Sequence, residues 1–104
     1  MGSDAARERY ELLKARYVAV CKAELERDPS RMAHEAGRPI DELAAVWAEC
    51  MLSAVERRGG TGWLSQAKDA RKARNPQLTI ASREVGVTTD EELVRIVRKG
   101  RIQA

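Results

Sequence analysis

Between residue 4 and the Asp28-Pro29 break, Tyr10, Leu13, Tyr17 and Val20 recur three or four positions apart. No stretch of the chain alternates apolar and polar residues for long enough to build a sheet, and only Val85 to Thr89 looks extended. A helical period cut by Gly and Pro breaks leaves one class of fold, helices packed on helices. Residues 4–27 read as one long helix, with Arg7, Glu11, Lys14 and Glu24 facing water and Ser3 or Asp4 as its cap. Asp28 then caps a short helix over 29–36, with Pro29 at its first position and Gly37 at its end. A third helix follows Arg38-Pro39 and runs to Arg58. Its expected inner face is Ile40, Leu43, Trp47, Cys50, Met51 and Ala54, widened by Val46 and Val55. As the most apolar segment, it is expected at the centre of the core.

Gly59-Gly60 ends that helix, one of the two taking the left-handed conformation. Thr61 caps a fourth helix over 62–74, which Asn75-Pro76 breaks. A short helix over 78–85 ends at Gly86. The last opens with a capping box, Thr89 with Glu92, turns Leu93, Ile96 and Val97 inward, and ends at Gly100. The expected fold is therefore all-α, a compact bundle of five or six helices in a single domain over 4–104. Met1-Gly2-Ser3 reads as an expression remnant, which, if so, would leave room for the rest to be a domain cut from something longer.

Two segments share an outline. Both 33-AHEAGRPIDELAAVW-47 and 82-SREVGVTTDEELVRIV-97 read as small residue, x, Glu, apolar, Gly, three residues, acidic run, Leu. A helix, a glycine turn and a second helix make the outline of a helix-turn-helix. The small residues Ala33 and Ser82 stand where the two helices of such a motif cross closely. Yet the positions that meet bases in a DNA-reading version are Asp41 and Glu42 in one copy and Asp90, Glu91 and Glu92 in the other. Carboxylates there repel phosphates, and acidic residues favour helix N-termini in any case. The expectation is a pair of structural hairpins that stay out of the major groove.

Charge divides the chain into halves. Residues 1–56 hold eight Lys/Arg against eleven Asp/Glu, a net of −3, and residues 57–104 hold eleven against five, a net of +6. Such asymmetry speaks about partners rather than fold. It centres on 58-RGGTGWLSQAKDARKARNP-76. Lys68, Arg71 and Lys72 share one helical face, with Arg74 at its edge. Arg95, Arg98, Lys99 and Arg101 form a second basic group, and Arg57 and Arg58 a third, just before the glycine turn. Together they suit a phosphate backbone, with Trp63 placed to stack on an unpaired base or to anchor its helix on the core. Many of these cations also sit in last helical turns, where the dipole favours them, so a solvated face is the bland alternative.

Other chemistries find little support. Gly59-Gly60-Thr61-Gly62 is followed by Trp63-Leu64, without the Lys a P-loop needs. His34 is the only histidine, and no HxxxH, CxxC or calcium-loop spacing occurs. No catalytic group, metal or cofactor is expected, and no apolar run is long enough to span a membrane. Cys21 and Cys50 read as buried, reduced core residues of a cytoplasmic protein. The first functional expectation is a nucleic-acid-binding module that contacts the backbone of DNA. The alternative is a protein-interaction or accessory domain of a larger host protein. It would form a homodimer through Leu12, Val18 and Leu25, which lie off the main face of the first helix.

Overall fold

A computed structural model describes residues 2–28, 37–62, 64 and 75–102. Among them the chain forms four helices and no strand: α1 (Gly2–Arg27), α2 (Ile40–Arg58), α3 (Pro76–Glu84) and α4 (Asp90–Ile102). The fold class is all-α as expected, and four helices stand among the described residues, against five or six anticipated for the whole chain. The helices expected over 29–36 and 62–74 lie outside the described residues.

The hub is α1, not α2. It packs against each of the other three helices, and α2 also meets α4. At about 1.5 Å per residue, its 26 residues span about 39 Å, which accounts for the 41 Å long dimension of the molecule. Tyr10, Leu13, Tyr17, Cys21 and Leu25 are buried along it, one stripe at helical spacing. The charged flanks of α1 also meet its neighbours. Lys14 pairs with Glu49 at 3.1 Å and Lys22 with Asp41 at 2.7 Å, both across to α2. Arg16 pairs with Glu84 of α3 at 2.5 Å, and Arg9 with Glu92 of α4 at 3.4 Å. Arg9 also donates through Nε to the carbonyl of Val85, at 3.2 Å. Pairs this exposed are weak and screened by solvent, so they orient helices that apolar burial holds together.

The core face of α2 is turned relative to the expected one. Its buried residues are Ala44, Ala48, Leu52 and Val55. Ile40, Leu43, Trp47 and Met51 are partly buried flanks, while Val46 and Cys50 are exposed. The largest apolar side chains thus border the stripe rather than fill it. The most apolar helix is for this reason not the most central one.

Helix ends follow the chain's punctuation with three shifts, the first being that α1 begins at Gly2, so Ser3 and Asp4 lie inside the helix rather than capping it. Gly59 takes the left-handed conformation (φ 78°, ψ 22°), and its N–H and that of Gly60 donate to the carbonyl of Val55. Asn75 caps α3 rather than only breaking what precedes it. Its Oδ1 accepts from Leu78 N at 3.3 Å, so the helix opens at Pro76, not 78. Thr89 Oγ1 accepts from Glu92 N at 3.2 Å, as the capping box requires. Gly100 does not end α4, which continues to Ile102.

In the second copy of the repeated outline, α3, the turn at 85–89 and α4 follow one another along the chain, and both helices pack on α1 rather than chiefly on each other. Residues 33–36 of the first copy lie outside the described residues. Ser82 is fully buried, but its partner is α1: Ser82 Oγ and the Tyr17 hydroxyl share a 2.7 Å hydrogen bond. Among the described residues, no helix is long and apolar enough to cross a membrane.

Candidate nucleic-acid interface

The geometry of α4 sets the site. Leu93, Val94, Ile96 and Val97 are buried, which leaves Glu91, Arg95, Arg98 and Lys99 exposed along the outer side. Their spacing of four, three and one puts all four on one face of a 3.6-residue helix. At the end of α2, Arg57 and Arg58 are exposed in the last turn, beside the carbonyl end of the dipole.

The two basic groups meet at the glycine turn. Gly59 lines a groove of about 440 Å³ together with Glu91, Val94, Arg95, Arg98 and Lys99. Arg58 lines a second pocket, of about 240 Å³, with Tyr17, Met51, Val55, Gly60 and Thr61. The Gly59-Gly60 turn therefore carries Arg58 on one side and the α4 cations on the other. Asp90 fixes this arrangement. Its Oδ1 accepts from Thr61 Oγ1 at 2.8 Å and from Thr61 N at 3.3 Å, tying the chain after α2 to the first turn of α4.

That bond changes the meaning of the acidic run. The Asp90 carboxylate is engaged by Thr61, and the Glu92 carboxylate by Arg9. Of the three carboxylates, Glu91 alone faces the groove. The cations divide in the same way. Arg9, Lys14, Arg16, Lys22 and Arg27 of α1 all pair with carboxylates, Arg27 with Glu24 of the same helix. The hydrogen bond to Glu49 raises the Lys14 pKa, and that to Asp41 raises the Lys22 pKa. Among the described residues, Arg57, Arg58, Arg95, Arg98 and Lys99 have no ion-pair partner.

The other expected site residues are placed as follows. Trp63, Lys68, Arg71, Lys72 and Arg74 lie outside the described residues, and so does His34. Arg101 belongs to α4, with its side chain outside the description. Val94 and Gly59 enter the site unforeseen. The signal for both was only indirect: Val94 follows the buried Leu93 and precedes Arg95, and Gly59 adjoins Arg58. Among the described residues, no three His, Cys, Asp or Glu side chains are grouped to hold a metal ion. The two cysteines differ. Cys21 is buried, and burial pushes its thiol up to about 11, whereas Cys50 is exposed, contrary to expectation. The surplus apolar surface of α1 shrinks as well. Leu25 is buried and Val18 packs on the core, leaving Leu12 as the exposed residue of the three.

The chain matches no protein-family model, no curated protein and no solved structure.

Proposed function

We propose that the chain is a small nucleic-acid-binding helical module that grips the phosphate backbone with its basic C-terminal half. One observation carries this reading. The cations around the Gly59-Gly60 turn are exposed and have no carboxylate partner among the described residues, while Arg9, Lys14, Arg16, Lys22 and Arg27 of α1 are paired. Cations that make no ion pair leave their charge open to an anionic partner, and binding releases the partner's counterions. Lys68, Arg71, Lys72 and Arg74 belong to the proposed contact set through their one-sided spacing in the sequence. Contacts to phosphates rather than to bases of a duplex fit α4, whose first turn is acidic and internally bonded.

The test is charge reversal at two exposed positions. Arg95→Glu with Arg98→Glu leaves every buried residue in place, so the helical circular dichroism should be unchanged. Affinity for DNA at low salt should fall by roughly tenfold or more. A double variant that binds as tightly as the parent removes α4 from the interface.

A further inference from the structure

We infer that the groove beside Gly59 takes an unpaired nucleobase, so that the chain prefers single strands to duplex and bases with an exocyclic amine to those without. This rests on the phosphate-binding reading above and deepens it. The groove, of about 440 Å³, is open to solvent and of small-molecule volume. A duplex backbone is convex and would meet only the cations at the rim. Between those cations lie only the small exposed edge of Val94 and a glycine without a side chain, so no bulky group stands in the way of a flat ring. Arg95 and Arg98 offer planar guanidinium groups that stack on bases as well as bind phosphates, and Lys99 adds a third charge for the flanking backbone.

Glu91 is the telling residue. It lines the groove with three cations, four residues before Arg95, yet forms no ion pair with any described residue. Against a phosphate backbone its carboxylate would only repel. Against a base edge it accepts a hydrogen bond from an amine such as N4 of cytosine, which thymine lacks.

Fluorescence anisotropy on the whole chain tests this with labelled oligodeoxycytidine, oligothymidine and a duplex of equal length. An oligoribocytidine arm separates ribose from deoxyribose. The expected result is tighter binding to single strands than to duplex, with cytidine favoured over thymidine by about tenfold. Glu91→Gln should remove that preference while retaining binding, because an amide serves either base. Equal affinity for the two single strands, or duplex binding as tight as either, overturns the inference and leaves phosphate binding standing. No binding to any strand overturns both.

Discussion

Gly100 is buried inside α4, against Tyr10 of α1. A Cβ at this position would overlap Cβ, Cγ and Cδ1 of that tyrosine. The Tyr10 Cβ is fixed to the α1 backbone, so a rotamer change cannot clear the space. Two effects compete in Gly100→Ala. Alanine gains about 1 kcal/mol of helix propensity, and overpacking costs about 1–3 kcal/mol. With the clash at the root of the side chain, overpacking should win. We expect a net loss of roughly 1–2 kcal/mol in urea unfolding; an unchanged or higher midpoint would show that α4 does not lie this close to α1. The sequence offers Gly100 as a helix end, because glycine often stops helices. Nothing local distinguishes that use from a close crossing, which depends on a residue ninety positions away.

At the scale of the elements, starts and stops were more legible than faces. Thr89, Asn75, Pro76 and Gly59 act through bonds to their immediate neighbours, so adjacent residues suffice to locate them. The buried stripe of α2 depends instead on which helix lies opposite, and side-chain size pointed to Trp47 and Met51 where Ala44 and Ala48 are enclosed. The link between α1 and α3 shows a further consequence. Burial pushes the Tyr17 hydroxyl from its ordinary 10.0 up to about 12 and the Cys21 thiol from 9.0 up to about 11. Both groups lose their protons more readily in the unfolded chain. Their contribution is complete below pH 9 and is lost as pH rises, through about 11 for Cys21 and about 12 for Tyr17. For Tyr17 the loss is on the order of 2 kcal/mol. The melting temperature should therefore hold steady from pH 7 to 9 and fall above it, with a shallower fall above pH 10 in Tyr17→Phe. A flat profile to pH 11.5 would mean that these groups are not enclosed.

Over the whole molecule, the charge division is plain in the sequence, but the way it is disposed in space is not. Counting gives −3 and +6 for the two halves. It does not show that Arg9, Lys14, Arg16 and Lys22 of α1 are taken up in ion pairs with the other helices, nor that Asp90 and Glu92 are turned to structural use. Those pairings arise from packing, and they are what leave Arg57, Arg58, Arg95, Arg98 and Lys99 around one turn with Glu91 among them. The central claim is that these cations meet phosphates. The most direct measurement is the affinity for a labelled single strand over a series of salt concentrations. Three to nine phosphate contacts, the upper figure counting Lys68, Arg71, Lys72 and Arg74 with the five around the turn, predict a slope of log K against log salt of about −2 to −6. Binding that is insensitive to salt, or absent at low salt, would contradict it.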